Sequence, residues 1–379
     1  MIAADEFLGP ARDAGFDFYT GVPCSFLTPI INRVISDDAY DYVGAASEGE
    51  AVAIAAGAWL AGRGSAVMMQ NSGLGNAVNP LTSLNYPFRI PAMMIVTWRG
   101  GPGLSDEPQH ELMGGITPDL LDVIQVSKGD FPTRKEDVSA ALGSAVATMN
   151  ENGLPYAFIM QKGTMADEVL TAEAPSGQSG GYYEDRSSQG VPPTRYAALE
   201  RLLGVLPHDA AVIATTGKSG RELFTIDDRP QHFYQVGSMG CAAAMGLGVA
   251  LNRTRPVVVI DGDGAALMKL GSLATVGAYG AENLVHIVLD NGTYDSTGGQ
   301  PTTSGGVNFA AVAAACGYVR SVTCDELSTF DAAVENALRL PGPHLVHMRI
   351  QPGSMKNLGR PNVPPHEVAQ RFKTFLASG

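Results

Sequence analysis

Short runs of apolar residues alternate along the chain with segments rich in small residues. This alternation is typical of parallel sheets that helices cover on both faces. In the first half it predicts four strands: FDFYT (16–20), DYVGAA (41–46), SAVMMQ (65–70) and PAMMIVTW (91–98). In the second half it predicts five: AAVIAT (210–215), HFYQV (232–236), PVVVI (256–260), LVHIVLD (284–290) and HLVHMRI (344–350). We therefore predict an α/β protein with two doubly wound parallel-sheet domains.

A stretch without periodicity separates the two halves. Residues 173–194 are rich in Ser, Gly and Pro, which is typical of a linker. The predicted organisation is an N-terminal domain at 1–170, a linker at 171–194 and a C-terminal domain at 195–379. Ligands of open α/β sheets bind beyond the carboxyl ends of the strands, so the loops that follow the predicted strands are the candidate sites.

Composition and charge narrow the classes of protein to consider. The 379 residues suffice for two domains, and the 45% apolar content is that of a globular enzyme. The net charge of −13 argues against nucleic-acid partners, and the apolar runs are too short to span a membrane. The start of the chain shows no basic, then apolar, secretory signal. Four cysteines show neither metal-ligand spacing nor the density of a disulfide scaffold, which favours a cytoplasmic location: Cys24, Cys241, Cys316 and Cys324.

Two polar turns follow two consecutive predicted strands in the second half. DGDG (261–264) follows PVVVI and begins a predicted small-residue helix (265–280), and DNGT (290–293) ends the next strand. Glycines let a ligand approach the backbone, and a helix N-terminus offers N–H groups to an anion. Asp263, Asn291 and a carbonyl near Thr293 would supply the oxygen ligands that Mg²⁺ shares with phosphate. Each turn alone is also ordinary turn chemistry, so the inference depends on the pair.

This pair of turns resembles the diphosphate–magnesium motif of thiamine-diphosphate enzymes. The resemblance implies thiamine diphosphate and Mg²⁺ as cofactors, a pyrimidine-binding and a diphosphate-binding domain, and a homo-oligomer with active sites between subunits. It implies Asp263, Asn291 and Thr293 as metal ligands. It also implies that a large apolar residue, Met239, bends the cofactor. The alternative is a core methionine, which a Gly-Ser-Met-Gly loop disfavours. The cofactor-binding residues implied for the second domain are Gly217, Lys218, Ser219, Met239, Gly262, Asp263, Gly264, Ala265, Asn291, Thr293 and Tyr294.

The same family carries a glutamate at the start of a small-residue helix in the pyrimidine-binding domain. ASEGEAVAIAAGAWLAGRG (46–64) matches this pattern, and the matching residue is Glu48 rather than Glu50. A carboxylic acid bonded to the pyrimidine nitrogen N1′ favours the imino tautomer, whose exocyclic nitrogen removes the C2 proton of the thiazolium. The alternative is an acidic residue that only interacts with the helix dipole.

Five further segments resemble the phosphonopyruvate decarboxylases: 19–32, 68–85, 97–114, 215–223 and 358–372. The resemblance covers nearly the whole chain and implies conversion of 3-phosphonopyruvate to phosphonoacetaldehyde and CO₂, in phosphonate biosynthesis. The sulfopyruvate decarboxylases share QNSGLGN (70–76) and stay an alternative. A carboligase is disfavoured, because no middle domain separates the halves. A non-catalytic cofactor-binding scaffold is disfavoured by the presence of both Glu48 and the metal motif.

The implied substrate is a small anionic 2-keto acid. Local donors must bind it because the chain as a whole is acidic. We interpret His110 also as a proton relay, since an imidazole titrates near neutrality. The alternatives are structural ion pairs for Arg99 and Arg221, and a helix cap for His110. Asp295, which follows the second turn, either closes over the cofactor or is a plain loop carboxylate. The predicted substrate-binding residues are Ser25, Asn71, Asn76, Arg99, Gln109, His110 and Arg221.

Overall fold

A computed structural model describes residues 1–172 and 180–378. The chain divides into two compact units, Met1–Pro175 and Ser176–Gly379. Each unit is built on a parallel sheet with helices packed on it, which confirms the predicted fold class. Within the described ranges, no helix has the length and apolar character needed to cross a membrane.

The N-terminal unit has a sheet of six strands, all parallel. They are β1 (Phe16–Gly21), β2 (Asp41–Gly44), β3 (Gly64–Gln70), β4 (Met93–Thr97), β5 (Ser127–Asp130) and β6 (Tyr156–Met160). Their order across the sheet is β2-β1-β3-β4-β6-β5. The four predicted strands are confirmed, whereas β5 and β6 were missed. The edge strand β5 (SKGD) has no apolar run to reveal it, and β6 is a short buried run that the prediction overlooked.

Within residues 1–172, α1 (Ala4–Asp13) precedes β1, and the helices that lie between the strands are α2 (Thr28–Ile35), α3 (Glu48–Leu60), α4 (Leu74–Pro80), α5 (Tyr86–Phe88), α6 (Glu111–Val123) and α7 (Lys135–Asn152). They cover both faces of the sheet, because neighbouring residues of a strand point to opposite sides. Met68 of β3 belongs to an apolar cluster with α1, α2 and α7, and Met69 belongs to a second cluster with α3 and α4. Helix α3 is buried along nearly its whole length, since its Ala and Gly residues let it pack closely on the sheet and on α4.

The C-terminal unit has a sheet of seven parallel strands and a small antiparallel ribbon. In chain order the strands are β7 (Tyr182–Asp185), β8 (Ala211–Ala214), β9 (His232–Tyr234), β10 (Val257–Gly262), β11 (Leu284–Asp290), β12 (Thr293–Tyr294), β13 (Gln300–Pro301), β14 (Arg320–Cys324) and β15 (His344–Arg349). The sheet order is β7-β14-β15-β11-β10-β8-β9, and β12 pairs with β13. The central strand β10 is buried from Val257 to Ile260, as its continuous apolar run predicts.

Two expectations for this unit need correction. Strand β7 lies inside the stretch predicted as linker and pairs with β14, which was also missed. As an edge strand with half-exposed residues, β7 shows no apolar run. The helix predicted over 265–280 is divided into two helices. The first ends before Lys269 and the second begins after Gly271, since glycine weakens a helix interior. The helices of the unit are α8 (Arg195–Val205), α9 (Lys218–Ile226), α10 (Ala242–Ala250), α11 (Asp263–Met268), α12 (Ser272–Tyr279), α13 (Phe309–Ala315), α14 (Leu327–Arg339) and α15 (Pro365–Ala377).

Candidate active site

A cleft in the C-terminal unit brings together the loops that follow four adjacent strands. These strands are β9, β8, β10 and β11, whose carboxyl ends meet at one edge of the sheet. The cleft is lined by every residue predicted to bind the cofactor in this unit: Gly217, Lys218, Ser219, Met239, Gly262, Asp263, Gly264, Ala265, Asn291, Thr293 and Tyr294. The parallel topology therefore joins segments that lie far apart in the sequence.

Asp263 is the first residue of α11 and is buried in the cleft wall, with 3% of its surface exposed. Burial raises the pKa of its carboxyl group, and the nearby charge of Asp290 acts in the same direction. The Thr302 hydroxyl donates a hydrogen bond of 2.5 Å to Asp263 Oδ2. At the next position only glycine fits, because a Cβ on Gly264 would lie 2.3 Å from the Tyr294 ring. The second turn is thereby packed directly on the first.

The second turn holds Asn291 with its side-chain orientation fixed. Its amide nitrogen donates to Asp295 Oδ2 at 2.7 Å, and the Thr293 backbone N–H donates to Asn291 Oδ1 at 3.2 Å. Asp290 anchors the turn by accepting hydrogen bonds from the Ser304 hydroxyl and by contacting His347 Nε2 at 2.9 Å. Burial alone would raise the pKa of Asp290, but these hydrogen bonds together lower it.

The oxygen donors of the cleft suit a metal ion that takes the rest of its coordination shell from a bound phosphate and water. Among the residues described, no group of three His, Cys, Asp or Glu side chains is placed to hold an ion. A site formed by one carboxylate, one amide oxygen and one carbonyl is of a different kind, because phosphate oxygens and water must supply the rest. Mg²⁺ is commonly bound in this way, with few protein ligands.

The other wall of the cleft has backbone suited to an anion. Gly217 has φ of +105°, a conformation that disfavours side chains, and α9 begins at Lys218 immediately after it. Met239 follows Ser238, which has φ of +52°, and precedes Gly240, where a Cβ would lie 2.9 Å from the Ala265 carbonyl oxygen. Met239 lies half-exposed in the cleft and not in the buried core.

A buried ion-pair network beneath the cleft was missed by the sequence analysis. Arg195 donates at 2.6 Å to Asp295 and contacts Glu222 at 3.4 Å, while all three side chains are at least nine-tenths buried. Burial raises the pKa of Glu222, whereas for Asp295 burial is outweighed by its hydrogen bonds from Arg195 and the Gly353 amide, which lower the pKa. Asp295 is thus a structural anchor for the second turn.

Replacing Arg195 by Met is expected to lower the free energy of unfolding by about 3–5 kcal/mol, because two carboxylates stay buried without their cation. Thermal and urea unfolding of the full-length chain measure the change. Arg201→Met on the same helix is the matched control, since the Arg201 side chain is 53% exposed and only one carboxylate, that of Asp331, loses its cation, so the expected change is smaller. Equal effects of both substitutions would contradict the role of the buried network.

In the N-terminal unit, Glu48 is the first residue of α3 and is half-buried. Its Oε2 accepts a hydrogen bond of 2.8 Å from the Asn76 amide. A Cβ on Gly73 would lie 2.4 Å from Glu48 Oε1, so the glycine makes room for the carboxylate. Glu50 is 1% exposed, and its Oε2 accepts from the Ala46 amide at 2.7 Å. In the structure the Asn76 side chain therefore binds Glu48, whereas the sequence analysis predicted Asn76 as a substrate contact.

Asn71 also has a role other than the predicted substrate contact. It is fully buried, and its amide nitrogen donates to the Arg99 carbonyl oxygen at 2.9 Å and to Thr117 Oγ1 at 3.0 Å. The Arg99 guanidinium pairs with Asp106 at 2.5 Å, and this hydrogen bond lowers the pKa of Asp106. Asn71 and Asp106 therefore shape the loop after β4, and Arg99 takes the ion-pair role that was the alternative to substrate binding.

The other predicted substrate residues lie at different depths. His110 ends a 3-10 turn, Pro108–His110, and is 5% exposed; its Nδ1 has no hydrogen-bond partner among the residues described. Gln109 is exposed in the same turn, and Ser25 is exposed at the start of another 3-10 turn, Ser25–Leu27. Arg221 donates from Nε to the Gly359 carbonyl oxygen at 2.8 Å, so it anchors the segment before α15.

Two family models match the chain, one in each unit. The first, "Thiamine pyrophosphate enzyme, N-terminal TPP binding domain", matches residues 3–122, and the second, "Thiamine pyrophosphate enzyme, C-terminal TPP binding domain", matches residues 215–348. Among solved structures, a thiamine-diphosphate-dependent 4-hydroxybenzoylformate decarboxylase of Rhodococcus jostii has a TM-score of 0.71 at 16% identity, covering 94% of this chain and all of its own. That likeness shows a shared fold.

Curated relatives span the chain from end to end. The phosphonopyruvate decarboxylase of Streptomyces viridochromogenes is 54% identical over 100% of this chain and 96% of its own length. That of Streptomyces hygroscopicus is 52% identical, with 99% and 94% covered. The sulfopyruvate decarboxylase of Methanosarcina acetivorans is 28% identical, with 96% and 95% covered. The chain therefore belongs to the thiamine pyrophosphate enzymes, within the family that contains the phosphonopyruvate decarboxylases.

Proposed function

We propose that the protein decarboxylates 3-phosphonopyruvate to phosphonoacetaldehyde and CO₂, with thiamine diphosphate and Mg²⁺ as cofactors. The observation that carries this proposal is the full-length similarity to two phosphonopyruvate decarboxylases at 54% and 52% identity. The lower identity of 28% to a single-chain sulfopyruvate decarboxylase favours the phosphonate over the sulfonate substrate.

When bound, thiamine diphosphate supplies the electron sink that makes loss of CO₂ from a 2-keto acid possible. In our proposal Asp263, Asn291 and a carbonyl near Thr293 hold the Mg²⁺ ion. The backbone amides at Gly217 to Ser219 bind the diphosphate, and Met239 supports the bent cofactor. Glu48 holds a proton at the pyrimidine nitrogen N1′. This assignment is supported by the cleft of the C-terminal unit, which all the residues named here from that unit line together.

His110 is the proposed group that moves a proton on the substrate. Its side chain is 5% exposed, and among the residues described its Nδ1 has no hydrogen-bond partner, so this ring nitrogen can hold or give up a proton. Asn76 orients the Glu48 carboxylate through the hydrogen bond at 2.8 Å. In the same proposal, Asn71 and Asp106 keep the loop that carries His110 in place.

The proposal extends to assembly and setting. We propose a homo-oligomer in which the pyrimidine-binding unit of one subunit meets the diphosphate-binding unit of another. We also propose a cytoplasmic enzyme of phosphonate biosynthesis, and the four free thiols support a reducing location.

Parallel assays on the purified protein with thiamine diphosphate and Mg²⁺ test the substrate. One assay receives 3-phosphonopyruvate and the other 3-sulfopyruvate, and both CO₂ and aldehyde are quantified. We expect kcat/KM to be at least about 100-fold higher for the phosphonate, since a site built for one anion leaves polar groups unpaired with another. Preference for the sulfonate would transfer the protein to the sister activity, and condensation products without free aldehyde would indicate a carboligase.

A further inference from the structure

A second cavity lies next to the cofactor cleft in the C-terminal unit. It has a volume of about 410 Å³ and lies between the start of α9, the end of β9 and the segment that leads into α15. Gly217, Lys218 and Ser296 line both the cavity and the cleft. A ligand group in this cavity would therefore be next to whatever occupies the cleft.

The charge of this cavity is opposite to that of the chain. Lys218, Arg221 and Arg360 line it, and within the described part of the chain no Asp or Glu side chain lines it. The chain has 38 acidic and 25 basic side chains, so three basic groups without an acidic one make the cavity a local exception. Such a wall attracts an anion that the rest of the surface repels.

Arg360 is presented by an anchored segment. The Nε of Arg221 donates to the Gly359 carbonyl oxygen at 2.8 Å, and its Nη2 donates to the Leu358 carbonyl oxygen at 3.1 Å. The Gly359 amide donates to Thr225 Oγ1 at 3.0 Å, which ties the same segment to α9. Arg360 itself forms no ion pair within the described ranges, so its charge is available to a ligand.

The side-chain amide of Gln235, at the cavity wall, is buried without a hydrogen-bond partner. The residue lines the cavity and is 4% exposed, and neither its buried amide oxygen nor its buried amide nitrogen has a hydrogen-bond partner among the residues described. A buried amide without partners is costly, and such groups are rare unless a ligand or water satisfies them. The unpaired amide is an observation independent of the basic side chains.

We infer that this cavity binds the phosphonate group of the substrate, with Arg360, Lys218 and Gln235 as direct contacts and Arg221 as the positioning residue. The inference rests on the proposed function, and it identifies where the substrate's dianion is held. A phosphate of the cofactor has the same chemistry, but Asp263, Asn291 and the start of α9 already account for the diphosphate. Three cations favour a dianionic phosphonate over a monoanionic sulfonate.

The test compares Arg360→Gln and Gln235→Leu with Lys356→Gln, an exposed basic residue of the same segment that does not line the cavity. For Arg360→Gln we expect KM for 3-phosphonopyruvate to rise by about 10- to 100-fold, the usual effect of losing a charge-assisted hydrogen bond. We expect kcat and thiamine-diphosphate affinity to change little. Lys356→Gln should behave like the unmodified enzyme.

Calorimetric titration of the cofactor-loaded enzyme with methylphosphonate tests the site without turnover. We expect binding that Arg360→Gln abolishes and Lys356→Gln keeps. If the enzyme binds methylphosphonate in this way but does not turn over 3-phosphonopyruvate, the proposed function fails and the anion site stands. If Arg360→Gln weakens thiamine-diphosphate binding and leaves KM unchanged, the cavity belongs to the cofactor and the inference is wrong. Equal methylphosphonate binding by all variants would overturn it as well.

Discussion

Replacing Glu48 by Gln is expected to lower kcat by about 10²- to 10⁴-fold, the usual contribution of a positioned acid–base group. Gln has nearly the same shape and keeps an oxygen for the Asn76 amide, so the start of α3 should fold as before. In the proposed mechanism, the variant loses the exchangeable carboxyl proton that Glu48 would hold at the pyrimidine nitrogen. The expected pattern is therefore normal stability, cofactor binding within about 10-fold of the unmodified enzyme, and very slow turnover.

Glu50→Gln is the matched control for this prediction. Glu50 lies two residues away on the same helix, but its carboxylate is buried and accepts from the Ala46 amide before the helix. We expect this variant to lose some thermal stability and to keep most of its turnover per folded molecule. The measurements are steady-state kinetics, thermal unfolding and a thiamine-diphosphate titration followed by intrinsic fluorescence. A large loss of kcat in Glu50→Gln with near-normal Glu48→Gln would transfer the acid–base role to Glu50.

The candidate site could largely be predicted because its residues occur in short local motifs at strand ends. Parallel topology brings such strand ends to one edge, so the turns at 261–264 and 290–293 meet in the same cleft. The motifs do not show which side chains contact one another. Asn71 and Asn76 were therefore interpreted as substrate contacts, although Asn71 bonds to the Arg99 backbone and Asn76 to Glu48.

Sequence reasoning did not predict the partners or the burial of single polar side chains that have no local pattern, including Asp295, which it had named only as a loop carboxylate or a residue that closes on the cofactor. Arg195 and Asp295 are separated by 100 positions, and only the folded chain shows that they form a buried pair. Gln235 belongs to the predicted strand 232–236, and the sequence does not distinguish it from an ordinary strand residue. The structure ends β9 at Tyr234, and the significance of Gln235 comes from its burial without a hydrogen-bond partner among the described residues. The missed strands β5 and β7 are edge strands, whose exposed residues weaken the apolar pattern.

Replacing Asp263 by Asn is expected to weaken Mg²⁺-dependent binding of thiamine diphosphate by at least about 100-fold, since residues that only orient a metal ligand already contribute about 10- to 100-fold. The substitution removes the negative charge that the cation would neutralise in this buried wall. Thr302→Val is the graded control, because it keeps the charge of Asp263 and removes the hydrogen bond to Asp263 Oδ2 together with the Thr302 hydroxyl's bonds to Ser304, and it should weaken binding less. Magnesium titrations at fixed thiamine diphosphate, with intrinsic fluorescence and activity as the signals, measure both variants.

If Asp263→Asn keeps the magnesium dependence of the unmodified enzyme, then the metal is held elsewhere and the pairing of the two turns has another purpose. If it loses cofactor binding while its thermal unfolding without cofactor is unchanged, then the loss arises from the missing charge and not from misfolding.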